Sequence, residues 1–272
     1  MQNAPLLTDR KTLLSNRKRA DRTKGLFLQD AAADDIQDRL SIVNREFTKP
    51  AIVTAFPEVW KDRIPNATIV SDDDVLNLTP GAHDLVIHAL SLHWANDPVG
   101  QLIQCRHALQ NDGLLITASF GGQTLHELRA SLAQAESELT GGLSPRILPM
   151  AEIRDLGALL QRAGFALPVA DSVPLNVTYK SALHLMRDLR IMGEGNALHA
   201  RQRKFMNRSV LMKACEIYAE TFAQEDRIGA TFEMIFMTGW APDESQPKPL
   251  RPGSAAHRLA DVLGTDETKL KP

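Results

Sequence analysis

Charge of one sign is the first thing this chain lacks. Its 272 residues carry 31 Lys and Arg against 33 Asp and Glu, a formal net charge of −2. So even a balance removes the electrostatic footing for broad nucleic-acid binding. Cysteine is nearly absent. Cys105 and Cys215 stand far apart on expected helices with apolar neighbours, outside any Cys-x-x-Cys, which argues against a disulfide framework or a zinc site and for reduced thiols. No apolar run approaches the roughly 18 to 20 residues of a membrane span. The first residues lack the apolar core of a secretory signal, so the expected location is cytoplasmic. Neither a Gly-x-Ser-x-Gly elbow nor a His-Glu-x-x-His is present. His83, His88 and His93 recur every fifth residue. In a strand that odd spacing alternates faces and spans about 16 Å, so no metal ion is shared and no metal site is expected.

What is present is a core. With 43% hydrophobic residues the chain supports one large domain with decorated ends. The expected division is N-terminal helices over 1–48, an α/β domain over 49–241 with a helical insertion about 181–223, and a Pro-rich tail over 242–272 that ends in a short helix near 255–263. The organising stretch is 84–94, Asp-Leu-Val-Ile-His-Ala-Leu-Ser-Leu-His-Trp, entered through Pro80-Gly81 and left by Asp97-Pro98. A run so rich in Leu, Val and Ile reads as a strand buried on both faces, central in a parallel sheet. Asp97 is placed to cap a helix with Pro98 in its first turn and Val99, Leu102, Ile103 and Leu109 on one face; Asn111-Asp112-Gly113 ends it. A second apolar run over 114–120 completes a strand-helix-strand unit, whose connections are almost always right-handed. Ligands of such sheets lie beyond the carboxyl ends of the strands, here 91–96 and 120–124. In a strand Ser91 and His93 point the same way and Trp94 the other. They form either a pocket wall or a structural histidine with its neighbours.

Two leading helices are expected over 6–25 and 27–47. The first holds seven Lys or Arg against two Asp, and is either a solvated face or a surface for an anionic partner. Strands follow over 51–56 and 67–71, joined by a short helix over 57–63. The loop after the first of them, Thr54-Ala55-Phe56-Pro57-Glu58, has no glycine, whereas a nucleotide loop needs backbone without Cβ to approach its ligand. Asp72, Asp73 and Asp74 end the second strand as ribose or adenine ligands or as surface charge. Gly121-Gly122 before a helix over 125–139 reads either as a phosphate cradle or as a plain turn, with Thr124-x-x-Glu127 a ready capping box. A helix over 152–163 stops at Gly164 with Phe165 packed behind it. A strand over 173–179, helices over 181–192 and 209–222 with methionine stripes read as core, and a final strand over 230–240 complete the domain.

Several runs carry a family resemblance: Leu90-Ser91-Leu92-His93-Trp94-Ala95-Asn96-Asp97, Phe120-Gly121-Gly122-x-Thr124-Leu125-x-Glu127-Leu128-Arg129, Gly141-Gly142-x-Ser144-Pro145, Arg162-Ala163-Gly164-Phe165, Met192-Gly193-Glu194-x-Asn196 and Gly239-Trp240. In this order, from about residue 7 to 246, they resemble the class I S-adenosylmethionine-dependent methyltransferase superfamily. Within it they look most like the arginine-hydroxylating assembly factors of mitochondrial complex I and their bacterial relatives, and more distantly like the malonyl-carrier-protein methyltransferases of biotin synthesis. The resemblance implies a Rossmann-like fold, mostly parallel with an antiparallel last strand. It also implies S-adenosylmethionine over Asp72, Asp73, Leu90 and Ser91, and a substrate or protein-partner pocket at His93, Trp94, Gly121, Gly122 and Arg129. The chain departs from it in the glycine-free loop and in having room for one helix-strand unit, not two, between 57 and 82. Methyl transfer is therefore expected to be weakened or lost, and the alternatives are a non-methylating assembly protein or an arginine-hydroxylase-like factor for a respiratory complex.

Overall fold

The computed structural model describes residues 6–247 and Gly264; the short helix expected near 255–263 lies outside them. The chain divides at Pro242 into a body, Met1–Pro242, and a second unit, Asp243–Pro272.

The body is built on one sheet in the order β2-β1-β3-β4-β7-β5. β1 (Pro50–Val53), β2 (Thr68–Val70), β3 (His83–Ala89) and β4 (Leu109–Phe120) run parallel. β7 (Arg227–Trp240) lies antiparallel between β4 and β5 (Ala166–Tyr179), and two-residue β6 (Ala223–Gln224) folds back on it. Between β1 and β3 there is one short helix, α3 (Pro57–Trp60), and one strand, β2.

Alternation along the strands feeds two cores. Ile52, Leu85, Ile87, Ile116 and Phe120 face α2 (Phe27–Ile42), α5 (His126–Thr140), α7 (Ala182–Ile191) and α8 (Arg208–Thr221). Val53, Val86, Leu115 and Met237 face α4 (Pro98–Ala108) and α6 (Ile153–Arg162). Every residue of β3 is buried, as expected of its apolar run. The Asp97 carboxylate accepts the Gly100 N–H at 2.8 Å with Pro98 in the first turn of α4. Gly164 takes φ +81° behind α6, and the Phe165 N–H reaches the Leu160 carbonyl at 3.0 Å.

Three local expectations are corrected. β3 stops at Ala89; Leu90 takes φ +43°, and Leu92–Trp94 is a single tight helical turn. Strand alternation therefore does not set the directions of Ser91, His93 and Trp94. β4 begins at Leu109, because Asn111-Asp112-Gly113 bulges within the strand: the register jumps from His83 opposite Leu109 to Leu85 opposite Leu114, with Asp112 at φ +56°. The capping box does not form. Leu125, at φ +54°, precedes α5, and the Thr124 hydroxyl instead donates to the Glu233 carbonyl and accepts the Glu233 N–H, both at 3.1 Å, while Glu127 accepts the Thr231 hydroxyl at 2.6 Å. Tertiary pairing with β7 outcompetes the local cap.

Candidate functional site

α1 (Arg10–Lys18) packs against the segment that follows β2 and the turn that follows β3. Asp9 caps it by accepting the Thr12 N–H at 3.1 Å, and fully buried Leu13 packs with Trp94, Leu148 and Leu198. Arg17 turns inward, 3% exposed, and its Nη1 lies 2.7 Å from the Asp72 carboxylate. Arg10 donates to the Asp72 carbonyl at 2.8 Å and reaches the Asp73 carboxylate at 3.3 Å. Two cations of the leading helix therefore meet acids of the same chain, neither solvated nor held for an outside anion. Gly193, at φ +82°, packs its backbone against that of α1, where a Cβ would come within 3.1 Å of the Arg17 Cα.

Asp72, Leu90 and Ser91 are all buried, and the Ser91 hydroxyl has no partner among the described residues. Thr54 is buried and accepts the Phe56 N–H at 3.0 Å. Phe56, 1% exposed, belongs to the core with Trp60, and Arg22 stacks on its ring at 5.5 Å.

On the other side of Trp94 opens a cavity of about 660 Å³. Its apolar wall includes Phe120, Leu128, Leu132 and Phe232, together with Met150, Met186, Met192 and Met206. Met186 and Met192 thus serve the core and the cavity at once, where sequence alone assigned such stripes to the core. Trp94 lines the cavity and donates its indole N–H to Glu194 Oε2 at 2.7 Å. His93 stands beside it with its side chain 2% exposed, its ring 4.8 Å from that of Phe120 and its Nε2 3.7 Å from Glu194 Oε2. Glu194 also lines the cavity, and among the described residues its Oε1 accepts no hydrogen bond. Burial opposes ionisation of this carboxyl, but the His93 ring, the Arg17 charge and the Trp94 N–H outweigh it and hold it below the usual glutamate range.

Gly121, Gly122 and Arg129 lie off the cavity wall. A Cβ on Gly121 would sit 2.5 Å from Glu233 Oε2, and one on Gly122 2.3 Å from Glu152 Oε1. The Gln123 N–H already donates to Glu233 Oε2 at 2.9 Å, and Arg129 braces the turn through the Thr124 carbonyl at 3.1 Å. A turn with two carboxylates on it is no phosphate cradle; at Gly121 buried Ile235, whose Cδ1 would also lie 2.5 Å from a Cβ, leaves no room for a side chain, whereas the Glu152 beside Gly122 is exposed. Sequence reasoning missed Arg17, whose acid lies 55 residues away, and Glu194, whose only signal was its place in the Met192-Gly193-Glu194 run.

Among the described residues no helix is long and apolar enough to cross a membrane. No family profile matches the chain. It is 41% identical over 200 residues to the mitochondrial arginine-hydroxylase NDUFAF5 of Danio rerio, a match covering 73% of this chain and 62% of that protein. The human protein of the same name is also 41% identical over 200 residues, covering 73% of this chain and 58% of the relative. Malonyl-(acyl-carrier protein) O-methyltransferase of Laribacter hongkongensis is 33% identical over 176 residues, covering 65% and 57%. The chain thus spans about three fifths of the length of these curated relatives. Among solved structures, the YcgJ protein of Bacillus subtilis superposes with a TM-score of 0.50 at 9% identity, covering 78% of this chain and 99% of that one. The chain has the class I methyltransferase fold and is a homologue of the NDUFAF5 arginine-hydroxylases and, more distantly, of the malonyl-(acyl-carrier protein) O-methyltransferases.

Proposed function

We propose that this chain is a protein-binding member of the methyltransferase fold that no longer uses the methyl donor, and that its cavity receives an arginine side chain of a partner protein. The observation that carries the first half is the buried Arg17–Asp72 pair. The acid expected at adenine is taken up by the chain's own leading helix. The loop that should lay bare backbone against the cofactor instead carries Thr54 and a core-packed Phe56. These residues do not fit S-adenosylmethionine.

The second half draws on the activity named for NDUFAF5 and on the wall of the cavity. Glu194 holds an ionised carboxylate in the cavity wall beside the Trp94 indole, with Oε2 accepting the indole N–H and Oε1 enclosed. Carboxylate and aromatic face are the two groups that a planar guanidinium recognises, through paired hydrogen bonds and by stacking. His93 and Trp94 hold Glu194 in place and keep it charged. What this geometry supports is binding, in keeping with the assembly or binding role for a respiratory complex that the sequence resemblance implies.

Calorimetry with S-adenosylmethionine and its demethylated product tests the first half. The expected dissociation constant is weaker than about 1 mM, less than about 4 kcal/mol of binding. A micromolar constant would overturn it in favour of methyl transfer, the reading to which the malonyl-(acyl-carrier protein) O-methyltransferase homology speaks.

A further inference from the structure

We infer that the partner segment carrying this arginine is acidic on both sides of it, and that the mouth of the cavity is its docking surface. This rests on the reading above and adds the character of the partner. The mouth carries five guanidinium groups, of Arg19, Arg146, Arg190, Arg201 and Arg203. Two are neutralised within the chain: Arg146 by Glu136 at 2.6 Å and Arg201 by Asp9 at 2.9 Å. The other three are exposed, and none forms an ion pair among the described residues. Arg19 reaches only the Ser15 carbonyl and hydroxyl on its own helix. Next to Arg203 in the chain stand exposed Lys204 and Phe205, the latter wholly open to solvent. Leu143, 71% exposed, extends from the loop that supplies Arg146 to the mouth.

The chain as a whole is slightly acidic, with a net charge of −2, so three unpaired cations at one mouth are a local concentration. Glu194 is the one acid among the residues that line the cavity, and its side chain is only 10% exposed, where Arg19, Arg190 and Arg203 are open to solvent. The site therefore has cations outside and an anion inside. A lone cation or a lysine-rich segment is repelled at the rim, and an acidic group is rejected within. The segment whose charges invert this pattern is an arginine between acidic residues, with an apolar side chain to cover Phe205.

Fluorescence anisotropy on the full chain with three labelled twelve-residue peptides tests this. The first has a central arginine with three acidic residues on each side, the second replaces the acids by Ser and Gln, and the third keeps the acids and replaces the arginine by alanine. The first should bind about tenfold tighter than the second at low salt, and the gap should close near 0.5 M salt as exposed pairs are screened. In the R190E/R203E variant the order should reverse. E194Q should weaken the first two alike and leave their ratio intact. Equal binding of the first and second peptides to the native chain overturns the inference while sparing the arginine reading. Equal binding of the first and third overturns the arginine reading and spares the acidic docking surface. If the first two bind alike while phosphatidylglycerol vesicles capture the native chain and not R190E/R203E, the mouth faces an anionic membrane and the inference fails. The salt series on the native chain decides the matter even if the double variant does not fold.

Discussion

Replacing Arg17 by Met tests the contact that ties α1 to the segment following β2. Both partners are almost fully enclosed, each with its side chain 4% exposed, and Nη1 lies 2.7 Å from Asp72 Oδ2. Removing the guanidinium leaves a buried carboxylate whose remaining cation, Arg10, is 3.5 Å away and 17% exposed. Breaking a buried pair from one side costs about 3 to 5 kcal/mol. Two features lower the figure here. Arg10 still contributes, and Arg17 Nε and Nη2 are themselves buried without partners, so their loss relieves a penalty already present. The expected cost is about 3 kcal/mol, which lowers the Tm by about 6 to 12 °C in a body of this size. Asp72→Asn alone should cost about as much, since it strands the cation. The R17M/D72N double variant should recover about a third of the summed losses, a coupling of about 2 kcal/mol in a double-mutant cycle read by urea unfolding. R17M should gain no affinity for S-adenosylmethionine, because the Thr54 to Pro57 loop is untouched. A Tm within about 2 °C of the native value would refute the account of this pair as a buried contact.

Glu194→Gln should flatten the acid limb of the stability curve. The Glu194 carboxyl is more acidic folded than unfolded, so its contribution is full above the ordinary value of 4.5 and is lost as pH falls through the lower folded value. Urea midpoints at pH 6, 4 and 3 should converge for native and variant chains as the pH drops; parallel curves would show that Glu194 is not held ionised by its neighbours. Gly121→Ala should cost about 1 to 3 kcal/mol by forcing a methyl against fully buried Ile235, whereas Gly122→Ala should be close to neutral, because the exposed Glu152 side chain can swing aside. Equal urea midpoints for the native chain and Gly121→Ala would mean that Ile235 does not close on this turn.

Much of the fold was legible because strand runs and helix ends are local. The run of β3 announces burial on both faces, and Asp97-Pro98 and Gly164-Phe165 mark a start and a stop with side-chain chemistry alone. The departures all came from partners distant in sequence. Thr124 and Glu127 are spaced for a cap, yet β7 offers them better-placed groups more than a hundred residues later. Leu90 belongs to the same apolar run as Ile87, and nothing in its side chain signals the positive φ that ends the strand and reorients Ser91 and His93. Arg17 looks solvated within a basic run until Asp72 is brought over it. The cavity was illegible for the same reason: its wall takes residues from α1, β4, α5, α7 and the segment that follows α7, and a Met at helical spacing reads as core whether it faces a neighbour or a space.

The place of β7 bears on how the chain is made. Among the described residues it is the last strand in the chain, and it sits inside the sheet, giving β4 its second neighbour and β5 its only one. Until residues 227–240 emerge, β4 ends the growing sheet with an open edge of Leu114, Leu115 and Ile116, and the fourteen residues of β5 have no strand to pair with. Unpaired edges of this kind invite joining with other chains. The nascent protein is thus most exposed to misassembly just before residues 227–240 emerge, and a ribosome that stalls within α8 would release a chain whose open edges recruit each other.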